Sequence, residues 1–397
     1  RHIFAAADAN PGNAFVNACA AAVHLALEAR SGVVAAQPYL AAMRRARATA
    51  NEREDLFVRA VEAWSADDLR GALTHFLEIA QRFPADIASA KWAQYHAFNL
   101  GDANAMLRAA KAVLPAHGET AEAWSMFAFA AEQAGHVPQA EEAALQALAL
   151  KATDPWAHHA LAHVYDSRGE IDRAIGFLRA NAGAWEDRSI FVREHNWWHL
   201  CLCHIAAASE AEALATFDRH LWGAWPEFGQ EQIGAISALW RLELAGVDVG
   251  DRWGAIVAAV RDRGTEHLLP FHDLHYVYAL ARAGAAGEAD AFLRSMARRN
   301  DRTGVWISVA LPASAGIVAH ARGSHARAAE LLGSAMSGLA LIGGSRTQRD
   351  LFRKAWIASS LNSGNAQLKS LLLQPLTNRE ARTILGGAPP ARALAAA

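Results

Sequence analysis

Residues 121–154 read AEAWSMFAFAAEQAGHVPQAEEAALQALALKATD, and their pattern decides the fold. Gly135 sits between two stretches with apolar residues at helical spacing. It has counterparts at Gly101 and Gly169, each 34 residues away, which is the period of the tetratricopeptide repeat. In such a repeat the glycine turns the chain between two helices, a small residue follows five later, and proline often closes the unit. Ala140 and Ala174 take the small position, and Trp124, Phe127, Ala131 and Ala147 fill the helix-packing stripe of this unit. Earlier in the chain Ala72 and Pro84 mark the same places, with Asp67 standing where the glycine belongs. The spacing therefore predicts repeats at about 53–86, 87–120, 121–154 and 155–188.

Helix pairs continue downstream while the period wavers. Hairpins are expected at 194–220 (turning at Ala207–Ser209), 228–262 (Gly246–Gly250), 270–298 (Gly284, with Ala289 in the small position), 309–341 (Gly323) and 346–374 (Asn362–Gly364). No alternation of apolar and polar residues bounded by turn residues calls for a sheet. The expected fold is all-α, an α-solenoid, since each hairpin buries its apolar face only against its neighbours. Residues 1–52 are expected to be a helical cap, 53–188 to hold the four repeats and 189–380 to continue as degenerate hairpins. A disordered tail is expected over 381–397, where Gly386-Gly387-Ala388-Pro389-Pro390 begins a run with nothing to pack.

Composition narrows the function classes. The 397 residues are 53% hydrophobic and carry a formal net charge of -2, so there is no electrostatic case for nucleic acid or an anionic membrane. The one basic cluster, Arg44-Arg45-Ala46-Arg47, reads as a solvated helix face. Three cysteines (Cys19, Cys201, Cys203) give no disulfide framework and suit a reducing compartment. Val305–Ala319, the longest apolar run, is too short and too interrupted to span a bilayer, and no secretory leader is visible before it. These features point to a cytoplasmic protein.

Chemistry concentrates on the first helices of the hairpins, which line the groove of such a solenoid. His159, His163 and Asp166 fall at i, i+4 and i+7, on one helical stripe. His195 and His199 repeat the spacing in the next hairpin inside Glu194-His195-Asn196-Trp197-Trp198-His199, and His272 with His275 follow two hairpins on, beside Asp273. His158 points about 100° away from His159. For any one imidazole the structural alternative is a core ring satisfied by a backbone carbonyl, and for the indoles it is interhelix packing. Three pairs in equivalent helices favour a pocket. Histidines at i, i+4 can ligate one divalent transition metal, with His159, His163, His195 and His199 as the candidates across adjacent hairpins. Without a metal, Trp197, Trp198 and Asn196 can line a ligand site with Asp273 as counter-charge, or a histidine can act as general base. His199, His195, His163, Asp273 and His275 are the candidate catalytic residues.

Gly343-Gly344-Ser345-Arg346-Thr347-Gln348-Arg349-Asp350 forms a separate feature. Ser345 followed by Gln348 is the spacing of a capping box, a helix start. A functional alternative gives Gln348 and Arg349 to a ligand carboxylate or phosphate.

From about Ala50 to Arg382 the chain resembles the tetratricopeptide repeat protein 38 family. The blocks that carry the resemblance are Ala157-His158 through Ala162-His163-Val164, His195-Asn196-Trp197-Trp198-His199, Leu239–Arg241 with Gly246 and Gly250-Asp251-Arg252-Trp253, Asp273-Leu274-His275, and Ile342–Asp350. The resemblance implies an all-α repeat fold and a polar inner site of His158, His163, His195, His199, Asp273, His275 and Arg349. It implies no particular reaction. Its pairing of His158 with His163 differs from the helical stripe, which pairs His159 with His163. The expected function is a tetratricopeptide-like protein binding a small molecule or short peptide in a concave pocket lined by His, Trp and Asp. The alternatives are an enzyme using that pocket, metal-dependent or His general-base (hydrolytic, lyase or oxidative), and a protein-interaction scaffold. Homo-oligomerisation is compatible with either.

Overall fold

A computed structural model describes residues 2–365 together with Leu372, Thr383 and Ile384. Among them every regular element is helical. The order is α1 (His2–Ala9), α2 (Ala14–Leu25), α3 (Arg30–Arg45), α4 (Glu52–Ser65), α5 (Leu69–Arg82), α6 (Ile87–Asn99), α7 (Ala103–His117), α8 (Ala121–Gln133), α9 (Val137–Leu150) and α10 (Pro155–Arg168). Then follow α11 (Ile171–Asn181), α12 (Ile190–Ala206), α13 (Glu210–His220), α14 (Gly229–Leu244), α15 (Trp253–Val260), α16 (Pro270–Arg282), α17 (Ala286–Ala297), α18 (Leu311–Ala321), α19 (His325–Ala335) and α20 (Arg346–Asn362). A π-helical turn, Trp306–Ala310, leads into α18. No described helix is long and apolar enough to cross a membrane. The expected tail at 381–397 and the second arm of the last hairpin lie outside the described residues, apart from Leu372, Thr383 and Ile384.

One backbone closure recurs at the hairpin turns. The residue after the turn donates its N–H to the carbonyl five residues earlier: Asp68 to Ala63, Asp102 to Ala97, His136 to Ala131, Glu170 to Tyr165, Ser209 to His204, Val247 to Leu242, Ala285 to Leu280 and Ser324 to Ala319. This is the left-handed closure of a helix C-terminus, and it needs positive φ at the residue between. Glycine supplies it at 101, 135, 169, 246, 284 and 323, while Asp67 (φ 62°) and Ala208 (φ 56°) adopt it without being glycine. Spacing between these positions is 34, 34 and 34 residues up to Gly169, then 39, 38, 38 and 39 up to Gly323. The downstream period, which seemed to waver in the sequence, instead settles at a longer value, and Ala208 hid one of its marks.

The chain divides into two compact units, Arg1–Ala160 and Leu161–Ala397. In the first, the core is mostly alanine (Ala90, Ala93, Ala97, Ala109, Ala110, Ala128, Ala130, Ala131, Ala140 and Ala144 have no exposed surface), so helix pairs approach closely. In the second, one continuous cluster runs from Trp198 through Trp240, Phe271, Tyr278 and Phe292 to Phe352. Buried large side chains and buried histidines fill the space between helices there.

Candidate functional site

Helix α12 holds Glu194, Asn196, Trp198 and His199 in buried positions, with His195 half-buried between them. The wide burial follows from the sequence, since Ile190–Ala206 is apolar or aromatic nearly all round. His195 lies flat on Trp198, with centroids 5.3 Å apart and planes 7° from parallel, and packs against Phe191 at 5.7 Å. His199 stands one turn on and meets His195 edge-on at 5.0 Å. From α10, His163 meets His199 at 4.5 Å. These three rings form a contiguous group within the second unit. The ligating nitrogens of His163, His195 and His199 all fall within 4.8 Å of one another.

Burial keeps the His195 and His199 rings neutral. Burial pushes His195 down to about 3, with the nearby His163 adding to the shift. His199 is pushed well below its ordinary value by burial, then by His163, His195 and the Arg241 guanidinium. A neutral imidazole is the form that donates a lone pair to a metal.

His163 is oriented from the other side by α20. Thr347 Oγ1 donates to Asp166 Oδ2 at 2.9 Å, which leaves its lone pair facing His163 Nδ1 at 3.3 Å. With Nδ1–H donating to Thr347, the Nε2 lone pair is the one left for a ligand. Thr347 is itself fixed by Arg241, which is buried and donates Nη2 to the carbonyls of Thr347 (2.6 Å) and Gln348 (3.4 Å), with Asp350 3.7 Å from Nη1. The chain Arg241–Thr347–Asp166–His163 is the kind of outer support that metal-bound histidines carry.

Helical geometry and the family pattern differed over which ring pairs with His163. His159 packs within the first unit, on Phe129 at 4.9 Å and edge-on to Trp156 at 5.6 Å. His158 holds the carbonyl of Ala152 at 3.0 Å through Nε2, which is the satisfied core histidine foreseen as the alternative. Trp198 lies in the site, under His195. Trp197 does not: it stacks on His220 at 3.6 Å and meets Trp185 edge-on, so it packs α12 against α13 and the preceding loop. Asn196 donates to Val192 along its own helix.

The 272–275 pair forms a separate place. His275 Nδ1 donates to Phe271 O at 2.8 Å and its ring packs on Phe352, while His272 meets Gln230 at 3.3 Å. Asp273 turns to His267, with Oδ2 2.5 Å from Nδ1. Burial raises the Asp273 carboxyl to about 6 despite the His267 contact that lowers it. Neither Asp273 nor His275 belongs to the cluster of His163, His195 and His199. The capping box is present: Ser345 Oγ accepts from Gln348 N, and Gln348 Oε1 accepts from Ser345 N. Arg349 donates to the carbonyls of Gly343 and Gly344. Gln348 and Arg349 thus build the start of α20.

Thr347, Arg241 and His267 carry weight that the sequence reading did not give them. Thr347 lay inside the capping motif but contributes through a tertiary contact 184 residues away in sequence. His267 is in a loop at φ 47°, outside any helical period. No protein-family model matches the chain.

Proposed function

We propose that this protein binds a divalent transition metal through His163, His195 and His199, with a small exogenous ligand completing the coordination. The single supporting observation is the group of three imidazoles whose ligating nitrogens lie within 4.8 Å of one another. Ligand nitrogens around a tetrahedral zinc, at about 2.0–2.1 Å from the ion, lie about 3.4 Å from one another. Modest side-chain adjustments reach that spacing from a set already this close. Imidazole ligands favour zinc, copper, nickel or iron over magnesium and calcium. Three histidines with an open fourth position suit a site that takes up a water, or an oxygen or nitrogen of a small ligand. That keeps ligand binding as the function and makes a metal-dependent enzyme its nearest variant. Asp273 and His275 are left out of this reading. The resemblance to the tetratricopeptide repeat protein 38 family stands on its motif blocks, and a cytoplasmic location fits the three free thiols.

Metal content of untagged protein, purified without added metal or chelator, is the direct test. About one equivalent per chain is expected, falling below a tenth in His199→Ala and in His163→Ala while far-ultraviolet circular dichroism stays unchanged. Loading the protein with cobalt and adding azide then probes the fourth position, since an open site shifts the visible spectrum. Substoichiometric metal in the wild type, or full retention in both variants, ends this proposal.

A further inference from the structure

The three rings of the proposed metal site do not share equal access. His163 and His199 are buried, and His195 is half-buried. His195 lines a small cavity between α12 and α14. Phe191, His195 and Trp198 reach it from one stripe of α12, and Gln230 and Gly234 from one stripe of α14. The room inside is about 20 Å³, enough for one water molecule. His195 cannot swing aside to widen it, because the ring is held between Phe191 (5.7 Å) and Trp198 (5.3 Å).

Gly234 keeps that room open. It lies in the interior of α14, where glycine is unfavourable. No heavy atom lies within 4 Å of where its Cβ would sit, so no close packing demands glycine there. Gly316 in α18 is the opposite case, since its Cβ would come within 2.8 Å of Leu332. A larger side chain at 234 would instead take up the cavity beside His195.

Width, rather than charge, is what these walls select. Two carboxylates line the cavity, and each is answered locally. Glu231 sits in the first turn of α14 and spends its oxygens on the N–H groups of Gly223 and Trp225. Glu194 Oε1 has the Arg193 guanidinium at 3.9 Å. We propose that this cavity is the way to the open coordination position, and that Gly234 sets the width of the ligand it admits. The class is a small linear donor, diatomic or triatomic, that gives the metal a nitrogen or oxygen lone pair. Rings and branched groups are turned away. This inference rests on the metal reading of the same cluster.

Cobalt-loaded full-length protein reports the ligand through its visible spectrum. Azide and tetrazolate are both anionic nitrogen donors, one a rod and the other a flat ring. Wild-type protein is expected to bind azide at least tenfold more tightly than tetrazolate. Gly234→Leu is expected to keep wild-type cobalt stoichiometry and to weaken azide at least tenfold, with Gly234→Ala between the two. Gln230→Ala, at the half-buried rim, widens the cavity and is expected to narrow the gap between the two probes. Circular dichroism checks the fold of each variant, and Gly234→Ala and Gln230→Ala decide the matter if the leucine variant misfolds. Equal binding of both probes by the wild type, or unchanged azide affinity in the Gly234 variants, overturns the proposal. So does loss of cobalt from a folded Gly234→Leu, since a wall of the entry does not hold the metal. Full cobalt without any azide response in the wild type overturns this inference and leaves the metal reading standing. Absence of cobalt binding, seen before any probe is added, ends both.

Discussion

Hairpins of the 34-residue period and those of the 38–39-residue period differ in one place. From α4 to α10, the loops joining one hairpin to the next are three or four residues long (83–86, 118–120, 151–154). From α11 onward they are eight to ten (182–189, 221–228, 261–269, 298–305, 336–345). The added residues thus precede the first helix of each later hairpin, at its N-terminal end. Charged side chains pin them. Glu231 accepts from Gly223 N and Trp225 N, Arg263 donates to Glu227 O, and Arg299 donates to His267 O. Asp301 accepts from the N–H groups of Thr303, Gly304 and Ile307, and Arg349 holds Gly343 and Gly344. The longer loops cover the first turns of α14, α16 and α20 and so permit polar residues to be buried there. A first helix capped by three or four residues has no such roof; alanine fills most of its core, and the polar residues it buries, such as His96, Glu132 and His158, lie singly among those alanines.

Acid provides the harshest way to break this comparison. In the second unit burial depresses His195, His272 and His275 to about 3, His320 to about 4, and His199 well below its ordinary value. In the first unit His96 is likewise pushed down to about 3. A depressed imidazole binds its proton in the unfolded chain before it does in the native one. Its stability contribution is therefore present above the unfolded value of about 6.5 and is lost as pH falls toward the folded one. At pH 5 the loss approaches on the order of 2 kcal/mol per ring. Glu194, raised to about 8 by burial and by Glu231, and Asp273 act in the opposite sense, but two carboxyls face five rings. Hydrogen exchange in chelator, corrected for intrinsic rate, is expected to show α12, α14 and α16 losing protection between pH 7 and pH 5 while α4–α9 change less. Equal losses in both units would remove the distinction drawn here.

Removing a loop pin comes next in size. Glu231 is 2% exposed and accepts at 2.6 and 2.5 Å from two backbone N–H groups. Glu231→Ala strands both donors and is expected to cost about 3 kcal/mol in urea unfolding. Glu231→Gln keeps one acceptor oxygen and is expected to cost about half of that. A loss below about 0.5 kcal/mol for the alanine variant means that the loop is not held from this carboxylate.

Much of this was legible from local rules. Each of the hairpins α4–α5, α6–α7, α8–α9 and α10–α11 falls where Gly101, Gly135, Gly169 and the small residues five later placed it, because the closure needs a residue tolerant of positive φ. The cluster of His163, His195 and His199 was legible too, since i, i+4 spacing survives folding and adjacent first helices meet. That Asp273 and His275 lie apart from the cluster was not legible, because spacing shows which face a side chain takes, not what it meets there. A loop residue, His267, captures Asp273, and helix α16's own carbonyl takes His275. Loops carry no period, so neither His267 nor the loop segment that Glu231 holds from the first turn of α14 leaves a mark to find.

A smaller effect separates support of the site from the site itself. Thr347→Val keeps the shape and removes the oxygen that accepts from His163 Nδ1 and donates to Asp166. Loss of an outer partner of this kind typically weakens metal binding 10–100-fold. Competition with a chromophoric chelator is expected to show that loss at unchanged stoichiometry, whereas His199→Ala loses the metal outright. Wild-type affinity in Thr347→Val means that α20 does not act on the cluster.

The smallest effects test whether the two periods share one turn. Gly135, at φ 89°, has nothing within 4 Å of where a Cβ would sit, so Gly135→Ala adds backbone strain alone. That strain is about 1 kcal/mol for an alanine in left-handed geometry. Ala208 already bears it, at φ 56° on an exposed turn, so Ala208→Gly should return most of it. Greater freedom of glycine in the unfolded chain offsets part of the gain, leaving about 0.5 kcal/mol of net stabilisation. Asp67, at φ 62°, gains less from Asp67→Gly, because a short polar side chain tolerates the left-handed region. The expected order in chemical unfolding is therefore Ala208→Gly above Asp67→Gly, with Gly135→Ala below the wild type. If Ala208→Gly destabilises, the Ser209-to-His204 closure is not the counterpart of the His136-to-Ala131 closure, and the longer period has its own turn.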